Sequence, residues 1–131
     1  MIDCLIIGDS IAVGTHQFKK ECVSYSKGGW NTWQWNRGFS DKDLTANVVI
    51  ISLGTNDHKG VKTYQELEKT RSKVRASRVY WIMPAIKPEI QQIVRDIAEK
   101  NGDTVLPITS LQPDKIHPSW AGYKDIAEKA R

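Results

Sequence analysis

The run Cys4-Leu5-Ile6-Ile7-Gly8-Asp9-Ser10 limits the folds open to this chain more than any other stretch. Four consecutive apolar or thiol side chains suit a strand covered on both faces, as in a parallel sheet. Gly8 lets the chain bend as it leaves that strand, because no Cβ restricts its backbone. Ile11-Ala12-Val13 can begin a helix at once, so Ser10 falls where a strand ends and a helix starts. Open α/β sheets bind their ligands at that edge. Taken alone, Ser10 reads better as a helix cap than as a reactive group.

The remaining chain repeats the pattern. Strands are predicted over 2–7, 22–25, 47–53, 78–83 and 104–106, and the stretches between them read as helices. The first helix is placed at 11–20. Thr63 and Glu66 have the spacing of a capping box for a helix running to Arg75, with Tyr64, Leu67 and Val74 on one face. Pro88 suits a first helical position, and Ile90, Ile93, Val94, Ile97 and Ala98 form an apolar stripe that stops at Asn101-Gly102. Pro118 can start a last helix whose inner face is Trp120, Tyr123, Ile126, Ala127 and Ala130. Alternation of this kind predicts one domain over 1–131. Its fold class is α/β, a three-layer flavodoxin-like sandwich on a five-stranded parallel sheet. Right-handed crossovers set the first and third strands side by side. Ser10, Asn56 and the segment after the fifth strand then meet at one edge.

Composition narrows the classes. The 131 residues suffice for a single core, with 40% hydrophobic and 26% charged residues. No apolar run approaches a membrane span, and Met1-Ile2-Asp3 lacks the basic region of a signal peptide. Cytoplasmic synthesis is therefore expected. The net charge of +4 mildly favours an anionic surface or substrate. Lysines and arginines are nevertheless scattered among acids, which argues against a nucleic-acid partner. Cys4 and Cys22 fit no metal spacing and no CxxC pattern, and read as buried free thiols of a reducing compartment.

Two further stretches attract interest. Ser26-Lys27-Gly28-Gly29-Trp30-Asn31-Thr32-Trp33-Gln34-Trp35 joins paired glycines to three of the chain's five tryptophans. The tryptophans either pack the loop on the core or wall a cleft. Asp114 and His117 are three apart, so the carboxylate can reach the imidazole Nδ1–H, fix its tautomer and leave Nε2 free. A serine nearby can pass its proton to that nitrogen and attack a carbonyl carbon. Donors for the resulting oxyanion are at hand in the Ser10 and Gly29 backbone N–H groups and the Asn56 amide.

Gly8-Asp9-Ser10, the glycine loop, Gly54-Thr55-Asn56-Asp57 and Asp114-x-x-His117-Pro118 follow in order, each just after a predicted strand. Together they resemble the SGNH hydrolases, also called GDSL-type esterases and lipases, from residue 8 to residue 118. That resemblance implies Ser10 as nucleophile, His117 as general base and acid, and Asp114 as the group that orients it. It implies an oxyanion hole of Ser10, Gly29 and Asn56, with Gly29 preferred to Gly28 because Gly29-Trp30-Asn31-Thr32 matches the motif better. Asp9 and Asp57 are expected to brace their loops, and His16 and His58 to be solvated. No metal or organic cofactor is implied. The expected reaction is hydrolysis of a short-chain acyl ester through an acyl-enzyme. An acetylated carbohydrate is the favoured substrate, with Trp30 and Asn31 beside it; a short lipid or thioester is the other. Release from the cell or association with a virion is compatible with such a substrate. The alternative is a non-catalytic flavodoxin-like module that holds a carbohydrate or an anion at the same edge.

Overall fold

The structure is a computed structural model that describes residues 2–131. The chain runs β1 (Ile2–Gly8), α1 (Ser10–Gln17), β2 (Val23–Ser26), α2 (Thr32–Gly38), β3 (Leu44–Ser52), α3 (Thr63–Ser72), β4 (Val74–Arg75), β5 (Arg78–Ile82), α4 (Pro88–Asn101), β6 (Thr104–Leu106) and α5 (Trp120–Lys129). All pairings between these strands are parallel, in the order β2-β1-β3-β5-β6, with β4 on the lower end of β3.

Side chains alternate across the sheet and so explain why helices cover both faces. Leu5 and Ile7 of β1, Val49 and Ile51 of β3 and Trp81 of β5 pack with Trp35 of α2, Leu67 of α3 and Val94 and Ile97 of α4. Ile6, Ile50 and Ile82 point the other way, onto Ile11 of α1 and Tyr123 and Ile126 of α5. The result is a three-layer α/β/α sandwich. Each fully buried branched side chain in it contributes about 1.5–3 kcal/mol of transfer free energy.

Register fixes the functional edge. Gly8 pairs with Ser26 on one side and with Ser52 on the other, so three strands end level. The loops at 9, 27 and 53 therefore leave the sheet together.

Several expectations are corrected. The sheet has six strands, because the third helix stops at Ser72 and Val74-Arg75 pairs with Leu44-Thr45. That pairing buries Leu44 and Val74. No capping box forms at Thr63: Lys62 is the N-cap without a side-chain bond, and the Thr63 hydroxyl donates to Asp57 Oδ2. A capping box is instead built by Asn31 and Gln34 at the start of α2. The first helix ends at Gln17, and Ser119 rather than Pro118 leads into the last one, as its N-cap. Trp120 does not face the core; it is 67% exposed.

Cys4 and Cys22 are not free thiols but a disulfide. Because β1 and β2 are parallel with Leu5 opposite Val23, the preceding residues are neighbours, and their Cα atoms lie 4.8 Å apart. Such a bond persists in oxidising surroundings, so the reducing-compartment reading loses its support. No helix among the described residues is long and apolar enough to cross a membrane.

Candidate active site

Gly8 closes β1 with φ +139°, and a Cβ there would stand 1.8 Å from the Ser52 carbonyl oxygen. Only glycine allows that approach. The Asp9 N–H donates to Ser52 O, and the Lys27 N–H donates to Gly8 O. The turn is thereby tied to both neighbouring strands. Asp9 caps α1, accepting from Ile11 N–H and from the Ser52 hydroxyl, each at 3.0 Å through Oδ1. Ser10 follows as the first helical residue, at the positive end of the α1 dipole.

Ser10 Oγ lies 2.8 Å from His117 Nε2, a contact across 107 residues of sequence. His117 Nδ1 lies 2.7 Å from Asp114 Oδ2. Backbone N–H groups of Ile116 and His117 also donate to Asp114, and with the His117 ring they hold its carboxyl down to about 2. An ionised carboxylate only accepts, so the imidazole donates from Nδ1. Its Nε2 is left as an acceptor for the Ser10 hydroxyl. A proton can move from Oγ to Nε2 along this line, and the cation that forms would lie against Asp114.

The glycine loop closes as a turn in which Trp30 N–H donates to Lys27 O. Gly29 occupies its third position with φ +80°, the left-handed value of a type II turn. Gly28 is the nearer glycine to the serine, for a Cβ on it would come within 3.8 Å of Ser10 Cβ. The Asn56 amide donates to Trp30 O at 3.0 Å, which couples the loop after β3 to the glycine loop. One of its two amide hydrogens remains for another acceptor. Asp57 braces this corner: its Oδ1 accepts from the Thr32 N–H and hydroxyl, and its Oδ2 from Thr63. Lys87 adds a brace with no motif to signal it. Its ammonium donates to the carbonyls of Thr55 and Asp57.

The other residues singled out are more peripheral. Trp30 packs over Gly38 and Phe39, and the Asn31 side chain is engaged in capping α2. Trp35 is buried and donates to Tyr25 O, whereas Trp33 is 49% exposed. His58 is exposed, as expected. His16 is half-buried and donates from Nε2 to Cys22 O, which corrects its reading as solvated. A mostly apolar cavity of about 390 Å³ lies beside Asp57, between Val61, Ile90 and Ile93; neither Ser10 nor His117 lines it. Ser10 and His117 are half-buried and open to solvent.

No protein-family model and no curated protein matches the chain. Solved structures do. A provisionally assigned GDSL-like lipase of Parabacteroides merdae superposes with a TM-score of 0.71 at 17% identity, covering 97% of this chain and 92% of the other. A provisionally assigned acylhydrolase of Bacteroides fragilis gives 0.67 at 18% identity, over 98% and 83%. The C-terminal catalytic domain of a peptidoglycan O-acetyltransferase from Streptococcus pneumoniae gives 0.60 at 16% identity, over 97% and 89%. By topology and by these superpositions, the protein has the three-layer fold of the SGNH, GDSL-type hydrolases.

Proposed function

We propose that the chain is a serine esterase of the SGNH type that removes a short acyl group from an oxygen ester. The observation that carries this reading is the continuous line Ser10–His117–Asp114, with both links under 3 Å. Ser10 Oγ attacks the ester carbonyl while His117 Nε2 takes its proton. The oxyanion is met by the Ser10 N–H at the start of α1, the Gly29 N–H and the Asn56 amide, each worth about 3–4 kcal/mol of barrier. His117 returns the proton to the leaving alcohol, and an acyl-serine remains. Water, deprotonated by the same imidazole, then releases the acid and restores Ser10.

Ser10 and His117 are half-buried and open to solvent, which favours a small acyl group on a bulky alcohol. An O-acetylated carbohydrate fits that description. The likeness in fold to a peptidoglycan O-acetyltransferase supports the same substrate class.

Hydrolysis of p-nitrophenyl acetate tests the reading. Ser10→Ala is expected to lower kcat at least a thousandfold. Asp114→Asn is expected to lower it by about 10⁴ with little change in KM, through the wrong imidazole tautomer. Equal rates for wild type and Ser10→Ala would reject Ser10 as nucleophile. Unchanged kinetics in Asp114→Asn would reject the assigned role of Asp114.

A further inference from the structure

The loop that carries Asn56 is held from two directions. In the strand order β2-β1-β3-β5 it lies between the glycine loop after β2 and the segment that leads from β5 into α4. Its turn is closed by the Asp57 N–H, which donates to Gly54 O. Toward the glycine loop it is tied by the Asn56 amide on Trp30 O and by Asp57 on Thr32. Toward α4 the fit is close, for a Cβ on Gly54 would lie 2.8 Å from Ile90 Cγ2. From that same side Lys87 sends its ammonium to Thr55 O at 2.8 Å and to Asp57 O at 2.6 Å. These carbonyls belong to the two residues that flank Asn56. Neither accepts from another donor among the described residues.

The backbone is strained to put a lysine there. Lys87 is the N-cap of α4 with φ +67° and ψ +84°, a left-handed conformation that residues with a Cβ seldom adopt. It makes no side-chain capping bond, the usual contribution of a residue at that position. Its own carbonyl accepts from the Ile90 and Gln91 N–H groups, so its backbone is fixed to the first turn of α4 while its side chain serves the neighbouring loop. The half-buried ammonium is in no ion pair among the described residues. Glycine or asparagine would suit this backbone better, so the two carbonyls, not the turn, account for a lysine here.

We propose that Lys87 is a positioning residue for the oxyanion hole: by clamping the carbonyls on both sides of Asn56, it aims the Asn56 amide at the oxygen of the tetrahedral intermediate. The proposal rests on the esterase reading in taking Asn56 as an oxyanion donor. Such a donor helps only if it already points to where the charge develops. The ammonium fixes the peptide planes that enter Asn56 and leave Asp57, and so limits how far the amide can swing. Without it the two carbonyls turn to water and the loop relaxes. Because Lys87 acts through Asn56, its removal falls on kcat and not on KM.

Steady-state hydrolysis of p-nitrophenyl acetate tests this in wild type, Lys87→Met, Lys87→Arg, Asn56→Ala and the double variant Lys87→Met with Asn56→Ala. Lys87→Met keeps the length of the stem but has no donor. It is expected to lower kcat about tenfold to a hundredfold with KM nearly unchanged. Lys87→Arg keeps a charged donor and should recover most of the loss. In the Asn56→Ala background, Lys87→Met should change kcat by less than about twofold, since the group it positions is gone. A role in stability alone would lower the urea midpoint and leave kcat of the folded protein intact. Far-UV circular dichroism identifies the folded variants, and Lys87→Gln replaces Lys87→Met should the latter not fold. The proposal is overturned by an unchanged kcat in folded Lys87→Met, by a loss confined to KM, by Lys87→Arg as impaired as Lys87→Met, or by the full loss persisting without Asn56. Each of these outcomes, with turnover still dependent on Ser10, leaves the esterase reading standing. Wild-type turnover no faster than that of Ser10→Ala would overturn the esterase reading, and this role of Lys87 with it.

Discussion

Asp9 sits between the first strand and the candidate nucleophile with no exposed surface, and its Oδ2 has no hydrogen-bond partner among the described residues. Burial pushes its carboxyl up to about 6, against hydrogen bonds from Ser52 and Ile11 that pull it down. A carboxyl raised on folding holds a proton that the unfolded chain releases. Its contribution to stability is full below the unfolded value of 3.8 and is lost as pH rises through 6. The whole effect is about 3 kcal/mol. Between pH 4 and 7 the wild type is expected to lose most of it relative to Asp9→Asn, which keeps an acceptor oxygen and cannot titrate. Urea unfolding of both proteins across that range measures the difference; parallel curves would mean that water or local opening solvates Asp9. At this scale the meeting of Ser10, His117 and Asp114 was legible, because each residue follows a strand end that register brings to one edge. Trp120 was not. Its spacing from Tyr123 and Ile126 suits an inward face, but the first turn of α5 leaves it in solvent rather than over the sheet, so periodicity alone misplaces it.

Elements were legible where a long pattern decides them and obscure where a neighbour does. The stripe of α4 and the apolar run of β3 identify themselves. The two-residue β4 exists only because Leu44 and Thr45 offer partners, and a helix pattern runs on through it in the sequence. The disulfide belongs to the same class. A separation of 18 residues says nothing until β1 and β2 are known to be adjacent and parallel. Closing a loop of that length constrains the unfolded chain by about 3 kcal/mol. Cys4 lies in β1 four residues before Gly8, away from the edge that holds Ser10. Reduction, or a Cys4→Ser and Cys22→Ser double substitution, is therefore expected to lower the denaturation midpoint while leaving ester turnover below the transition unchanged. Parallel measurement of melting and turnover in dithiothreitol checks this. A loss of turnover in folded, reduced protein would show that β2 and its glycine loop need the crosslink to stay in place.

Over the whole molecule, one sheet separates two cores that share no side chains. Ile97 of α4 lies in the core on one face and Ile126 of α5 in the core on the other, and both are fully buried. A strand residue contributes its side chain to one face only, so a defect in either core reaches the other only through the backbone of the sheet. This division follows from the alternation visible in Leu5-Ile6-Ile7 and Val49-Ile50-Ile51. Which helices lie on which face does not, since it depends on how each crossover leaves its strand. Ile97→Val and Ile126→Val are each expected to cost about 1 kcal/mol. Together they should cost the sum within about 0.5 kcal/mol, as for sites without shared partners. A double-mutant cycle in urea, with slopes held in common, measures the coupling. A coupling of 1 kcal/mol or more would mean that the sheet backbone shifts to relieve one core at the expense of the other. Since Gly8, Ser26 and Ser52 end that sheet level with one another, such a shift would also move Ser10 relative to His117. Ester turnover in the single variants would then fall without any change at the site itself.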